Sequence, residues 1–222
     1  MRKSYGIKRC SGANTIDANW EKPFWREIEP AKIILSHWTV QSEHIPKTEV
    51  KLQYDDKNLY VIFRVQDQYV RAVTTQIHGD VWKDSCVEFF FAPSKERPSS
   101  YFHLETNCCG VLLMQHHTRP HENSCYLDVQ DCQKIIITSS ASGPIRNEIV
   151  KPLVWTLEYA LPVKILSKYS DMQKPAPGVV WRGNFYKCAD DSSHPHWMTW
   201  SKIDTDFPDF HRPEFFGLLE FE

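Results

Sequence analysis

The chain has 222 residues, the length of one large domain or two small ones, and all-β sandwiches of this size commonly form a single domain. Its formal net charge of −2 creates no long-range field that would attract nucleic acid or an anionic membrane. Because no stretch approaches the roughly 18 consecutive apolar residues of a membrane span, we expect a soluble domain with neither nucleic acid nor membrane as a partner.

The composition favours strands over helices. The sequence contains 14 prolines but only 8 glycines, and 13% of its residues are aromatic, a combination typical of short strands joined by structured loops. Residues 1–14 are basic and polar, which predicts a loose lead-in or an edge strand. The domain itself would then cover residues 15–222.

Alternating apolar residues predict the strands in chain order. The clearest signal is a hairpin, in which residues 49–54 and 59–65 flank a turn rich in Asp and Asn. Residues 162–169 form the one predicted helix, with a proline near its start. The other predicted strands are residues 31–38, 87–91, 101–106, 111–114, 134–139, 154–161, 179–186 and 218–221. This pattern predicts an antiparallel β-sandwich with one short helix.

Residues 80–91 carry the most informative pattern. The first half is polar and contains Trp82, whereas the second half is a strand with apolar side chains on one face and Glu88 on the other. Sugar sites combine an aromatic platform with fixed polar groups, because the C–H face of a pyranose stacks on a ring while its hydroxyls need hydrogen-bond partners. The alternative is that Trp82 packs at a strand end and Glu88 forms a surface salt bridge.

Two later strands present polar side chains in the same way. In residues 101–106, His103 and Glu105 lie opposite the apolar face, and a later strand places Asn184 in the equivalent position. We therefore expect these side chains to share one solvent-facing groove with Glu88.

Five groups of residues, in order along the chain, resemble the family 9 carbohydrate-binding modules. They are Ile16-Asp17 with Trp20; Val50-Lys51-Leu52, Asp55 and Asn58-Leu59-Tyr60-Val61; Val81-Trp82-Lys83-Asp84 with Val87-Glu88-Phe89-Phe90; Trp155, Glu158 and Leu161-Pro162; and Phe210, Pro213-Glu214 and Phe216-Gly217-Leu218. The resemblance covers about residues 15 to 222. It implies a β-sandwich related to the DOMON domains, an association with xylan-degrading enzymes in polysaccharide catabolism, and a sugar clamped between two aromatic rings.

The resemblance also implies roles for individual residues. Trp82 and Phe210 correspond to the two clamp aromatics, with Phe210 in place of the tryptophan of characterised modules. The positions that would hydrogen-bond the sugar correspond to Glu88, the chief acceptor, and to His103, Glu105 and Asn184. His103 and Glu105 depart from the family's best-known ligand pattern, which implies a divergent member. We expect non-covalent binding of a saccharide at a chain end.

A glycoside hydrolase is the alternative interpretation of Glu88 and Glu105, because glycoside hydrolysis requires a pair of carboxyl groups. A shallow aromatic clamp does not enclose a substrate on both faces, and nothing in the sequence indicates the raised pKa of a general acid. We therefore expect binding rather than catalysis. A carboxyl separation near about 5 or about 8 Å would point to the enzyme.

Metals and haem are further alternatives. The residues that could bind zinc are His116, His117, His121, Cys108, Cys109 and Cys125, although their spacing matches no standard zinc pattern. Family 9 modules often hold calcium, for which the candidate oxygen donors are Asp55, Asp56, Asp67 and Asp84. The related DOMON domains can bind haem, for which the candidate axial ligands are Met114 and Met198.

The cysteines indicate the compartment. Seven cysteines cannot all pair, and their spacing matches no compact disulfide framework. The N-terminus also lacks the apolar core of a signal peptide. We therefore expect mostly free thiols and a reducing, cytoplasmic location, or a secreted or periplasmic one if a signal peptide has been removed.

Overall fold

The computed structural model describes residues 2–12, 14–35, 38, 44–93 and 99–222. Most of the regular structure in these residues is β-strand. The strands are β1 (Ser4–Arg9), β2 (Ala31–Ile33), β3 (Lys47–Tyr54), β4 (Asn58–Ala72), β5 (Cys86–Ala92), β6 (Tyr101–Asn107), β7 (Leu112–Arg119), β8 (Glu122–Tyr126), β9 (Ile136–Ser139), β10 (Ile145–Pro162), β11 (Val180–Cys188), β12 (Trp197–Thr199) and β13 (Gly217–Phe221).

The helices are short. They are α1 (Pro23–Arg26), α2 (Val129–Cys132) and α3 (Val163–Leu166), with two 3₁₀ turns at Val81–Lys83 and Pro213–Phe215. Of these, α3 lies within the predicted helix, and α1 and α2 were not predicted. In the described part of the chain, no helix is long and apolar enough to cross a membrane.

The strands form two packed layers joined through β1. The hydrogen-bonded order is β8-β7-β6-β5-β11-β13-β1-β3-β4-β10-β9, with β12 paired to β11 and β2 paired to β3. β1 runs parallel to both of its neighbours, since residues 4–7 pair with β13 and residues 8–9 pair with β3. The other strand pairs are antiparallel. The predicted β-sandwich is confirmed.

The position of β1 corrects the prediction of a loose lead-in or edge strand for residues 1–14. Tyr5 and Ile7 are buried in the main core, and β1 has a hydrogen-bonded neighbour on each side. The basic and polar residues that suggested exposure alternate with these two apolar side chains. A strand needs only one apolar face to be anchored, so this composition is compatible with an interior position.

Alternation along β5 divides its side chains between two clusters. Phe89 packs in the main core together with residues of the opposite layer such as Phe63. Phe90 points the other way and packs with Phe210 and Phe216. The segment that runs from β12 to the second 3₁₀ turn therefore covers part of the outer face of the layer that contains β5.

β7 is longer than the sequence predicted. The sequence predicts a strand that ends at Met114, but β7 continues through the polar, histidine-rich residues to Arg119. Its apolar pattern stops because Gln115 and His117 face a cavity on the outer surface of the layer. A strand position that faces a cavity does not need an apolar side chain.

Candidate functional site

The cavity on the outer face of the β5 layer has a volume of about 350 Å³. Its walls come from strands β5, β6, β7, β8, β11 and β12, from the turn at Val81–Lys83, and from residues 208–211 of the covering segment. Five of the six sequence-predicted site residues line it, namely Trp82, Glu88, His103, Glu105 and Phe210.

Cross-strand register assembles the cavity floor. Glu88 of β5 lies opposite Glu105 of β6, and Phe90 lies opposite His103. On the next strand, Gln115 lies opposite His103. Directly opposed side chains have Cβ atoms about 4.5–5.5 Å apart, so the polar side chains of these residues lie close together, with Phe90 beside them.

The predicted place of Asn184 in this groove is wrong. Its side chain is fully buried and does not line the cavity. Its Nδ2 donates to the carbonyl of Ser201 at 2.9 Å, and its Oδ1 accepts from the backbone N–H of Ser201 at 2.8 Å. Alternation placed Asn184 on the correct face of β11, but it could not indicate that the segment containing Ser201 covers this part of the face.

The two predicted clamp aromatics differ in exposure. Trp82 lies in a 3₁₀ turn and is 36% exposed, so a large part of its ring can contact a ligand. Phe210 is only 9% exposed and stacks on Tyr186, with ring centroids 4.1 Å apart and an angle of 9° between the rings. At most one face of Phe210 therefore remains for a ligand.

Glu88 and Glu105 are buried in the cavity floor instead of lying on an open surface. Cys188 donates from Sγ to Glu88 Oε1 at 2.9 Å, whereas Glu105 Oε2 has no hydrogen-bond partner. Burial, reinforced by Cys188 and Glu105, raises the pKa of Glu88 well above its ordinary value. Burial, reinforced by nearby aspartates, raises the pKa of Glu105 to about 8. Burial therefore favours the protonated form of both carboxyl groups, and a protonated carboxyl group can donate as well as accept a hydrogen bond.

Three histidines form one wall of the cavity. The ring centroids of His103, His117 and His211 are 4.9 to 5.1 Å apart. Burial lowers the pKa of His103 well below its ordinary value, that of His117 to about 3 and that of His211 to about 4. All three imidazoles are therefore neutral at pH 7.

Sequence reasoning missed several lining residues, including His117, His211, Trp197 and Cys188. His117 could have been found by continuing the alternation of β7 past Leu113, and Cys188 by continuing that of β11. Trp197 lies on the three-residue strand β12, which is too short to show alternation. His211 has no local signal, because only the course of the covering segment brings it to the cavity.

A model of carbohydrate-binding family 9 matches residues 25–221. The chain belongs to this family. Carbohydrate binding is therefore the function of this family 9 module.

Solved structures share the fold of the module. A candidate carbohydrate-binding protein from Bacteroides uniformis ATCC 8492 aligns over 100% of both chains with a TM-score of 0.88 and 28% identity. A family 9 module from Caldicellulosiruptor kristjanssonii in complex with glucose aligns over 99% of this chain and 96% of its own, and one with cellotriose over 99% and 94%, each with a TM-score of 0.66 and 17% identity. At 17% identity this likeness shows the fold alone. Among curated proteins, no match is found.

In the described part of the chain, the candidate calcium ligands of the family 9 module are engaged one by one. Asp55 accepts three hydrogen bonds from protein donors and Asp84 accepts four. Asp56 pairs with an arginine, and Asp67 lies beside a histidine and a lysine. Because these carboxylates are engaged separately, they do not fit the convergent oxygen cage that calcium requires.

The candidate haem and zinc ligands are also dispersed. Met114 and Met198 are buried in the main core and are not part of the cavity lining. His116 bonds Ser100. Of the predicted zinc ligands in the described residues, His117 alone belongs to a group of three or more candidate ligands, and its partners are two histidines that the sequence did not suggest for zinc.

Proposed function

We propose that the family 9 module binds the end of an uncharged saccharide in this cavity without cleaving it. The observation that supports this is the presence, in one cavity, of an exposed tryptophan and of buried polar atoms that lack hydrogen-bond partners. Trp82 provides a stacking surface for the C–H face of a pyranose. The unpartnered atoms provide hydrogen-bonding groups for its hydroxyls.

The unpartnered atoms belong to Glu105 and to the rings of His103 and His117. A buried polar group without a partner costs about 1–3 kcal/mol, and a sugar hydroxyl at the right position would remove this cost. Since burial favours the uncharged form of the two carboxyl groups and of the imidazoles, it disfavours charge on the cavity floor. These properties favour a neutral sugar over an acidic one.

The size of the cavity supports binding at a chain end. Its volume of about 350 Å³ lies near the lower limit of small-ligand sites, which span about 300–1,000 Å³. This space suits one or two sugar rings better than a long internal segment of polysaccharide. Glucose and cellotriose, which occupy the modules from C. kristjanssonii, are suitable first probes.

Protonation argues against hydrolysis, although register brings Glu88 and Glu105 to directly opposed positions. A glycosidase needs one protonated carboxyl group and one ionised carboxylate, and their environments must therefore move the two pKa values apart. Here burial raises the pKa of both groups. The surroundings therefore shift both groups in the same direction and single out neither one as the ionised nucleophile or base.

The test is isothermal titration calorimetry of the whole chain with glucose, cellotriose and any glycan retained on an array. We expect Trp82→Ala to weaken binding about ten-fold or more, since loss of a stacking contact of about 1.4 kcal/mol is a factor of ten. Its effect on the free energy of unfolding should be well below the roughly 3–5 kcal/mol that a buried tryptophan contributes.

Phe207→Ala is the matched control, because Phe207 is 80% exposed and does not line the cavity. This variant should bind the same glycan with unchanged affinity. Retention of no glycan by the native module, or equal affinity of the Trp82→Ala variant, would contradict the proposal.

A further inference from the structure

The three-histidine wall has the composition of a metal site. His103 comes from β6, His117 from β7 and His211 from the covering segment, so that three separate parts of the chain converge on one point. One ring nitrogen of each residue lies within 4.8 Å of those of the other two. Zinc binds imidazole nitrogen at about 2.0–2.1 Å, so small rotations of the rings would let all three nitrogens reach one ion.

The hydrogen bonding of these rings is incomplete. His103 is 3% exposed and His117 is 5% exposed, yet none of their four ring nitrogens makes a hydrogen bond in the part of the chain that the structure describes. In native proteins about 90% or more of buried polar groups are satisfied, and an orphaned one calls for an ion or water. Four orphaned nitrogens on two adjacent rings that face one cavity constitute an independent indication of a ligand.

One tyrosine orients two of the three rings. Tyr101 Oη lies 2.8 Å from His211 Nδ1, which leaves His211 Nε2 as the nitrogen available to an ion. The Tyr101 ring also stacks on His117, with centroids 4.8 Å apart and an angle of 2° between the planes. Metal-bound histidines are typically held by such an outer partner on the second nitrogen.

We propose that His103, His117 and His211 form a site for a divalent transition-metal ion such as Zn²⁺, with a fourth coordination position open to the cavity. Neutral imidazole is the form that binds metal, and each of the three rings can present one nitrogen to the ion. Three imidazoles with one open position are an established zinc arrangement. Water or a sugar hydroxyl would complete the coordination.

A second group of candidate ligands has to be distinguished from this one. Cys86, Glu88 and Cys188 also have ligand atoms within 4.8 Å of one another. The Sγ of Cys188 donates to Glu88 Oε1 at 2.9 Å, so two members of this group are already hydrogen-bonded to each other, unlike the ring nitrogens of His103 and His117.

The test is calorimetric titration of the metal-free, saccharide-free chain with Zn²⁺. We expect one equivalent to bind to the native module. Removal of an outer-shell partner typically weakens metal binding about 10–100-fold, so Tyr101→Phe should weaken it about ten-fold and His117→Ala by about 100-fold or more. Tyr101→Phe keeps the ring and its stacking, which makes it informative even if His117→Ala fails to fold.

Two matched variants serve as controls. His194→Ala, which removes a histidine outside the cavity lining, and Cys188→Ser should both bind Zn²⁺ like the native chain. With Co²⁺ as probe, the visible ligand-field bands should appear without a thiolate-to-cobalt charge-transfer band. Absence of zinc binding, equal binding by the His117→Ala and Tyr101→Phe variants, or loss of binding in the Cys188→Ser variant would overturn the proposal. Because no saccharide is used, this outcome is independent of the saccharide experiment.

Discussion

Two buried glutamates in this module have opposite surroundings. Glu158 of β10 is fully buried and has a complete set of donors. They are Lys22 Nζ at 2.7 and 2.9 Å, Asn14 Nδ2 at 3.0 Å, the backbone N–H groups of Asp17 and Ala18 at 3.0 and 2.9 Å, and Trp25 Nε1 at 2.9 Å. Glu88 of β5 is equally inaccessible, but Cys188 supplies its one hydrogen bond.

This difference in hydrogen bonding distinguishes a polar cluster that stabilises the fold from a site that can bind a ligand. The donors around Glu158 all belong to residues 14–25. The Glu158 carboxylate therefore holds the chain between β1 and β2 against the sandwich. The cavity around Glu88 has spare donors and acceptors and an exposed tryptophan beside them. Burial by itself therefore does not distinguish the two sites, whereas the completeness of hydrogen bonding does.

The largest expected effect is a loss of stability on substitution of Glu158, the glutamate whose hydrogen bonds are complete. Glu158→Gln removes one partner of a buried ion pair and leaves Lys22, whose side chain is 10% exposed, without its compensating charge. We expect the free energy of unfolding to fall by about 3–5 kcal/mol, measured by urea denaturation. Glu220→Gln, at an exposed position of β13, should change it by less than about 0.5 kcal/mol. Equal free energies of unfolding for the Glu158→Gln and Glu220→Gln variants would contradict this role of Glu158.

The pH dependence of stability extends the comparison to a second buried cluster, in which His196 contacts Lys187 and His194. His196 is buried, accepts from Lys187 Nζ at Nε2 (2.8 Å) and contacts the His194 carbonyl through Nδ1. Burial, reinforced by the Lys187 charge, lowers the pKa of His196 from 6.5 to about 3. Between these pH values the unfolded chain binds a proton that the folded chain does not, so stability falls as the pH decreases from 6.5 towards 3, by at most about 1.4 kcal/mol per pH unit.

Replacement of His196 by Gln should remove this contribution. The unfolding free energies of the native chain and of the His196→Gln variant, measured by urea denaturation between pH 7 and pH 4, should then differ in slope. The variant should lose less stability per pH unit on acidification. Parallel pH profiles would show that His196 does not contribute to the acid sensitivity.

The smallest expected effect is on saccharide affinity and concerns Glu88, the glutamate in the cavity. Because burial favours the protonated form of Glu88, Glu88→Gln replaces an acid that can donate and accept with an amide that does both. We expect affinity for the best-bound glycan to change by less than about three-fold in calorimetry, which corresponds to about 0.65 kcal/mol. An ionised Glu88 would instead contribute about 1.5–3 kcal/mol as a charged acceptor, and a loss of ten-fold or more would show that it is ionised.

The sequence by itself predicted the sandwich, most strand positions and five of the residues that line the cavity. Local alternation carries this information, since side chains at i and i+2 share a face whatever surrounds the strand. For this reason alternation alone assigns Glu88, His103 and Glu105 to one face. Glu158 also belonged to the residues that resembled family 9, although its structural role could not be inferred from them.

Only the tertiary structure decided what covers each face. Asn184 and Cys188 lie on the same face of β11, yet the covering segment encloses the first and leaves the second in the cavity. Likewise β1 became an interior strand because β13 and β3, far apart in the sequence, both pair with it. Contacts between residues distant along the chain leave no local periodic signal, so His211 and the metal-binding geometry that we propose for it can be recognised only in the folded chain.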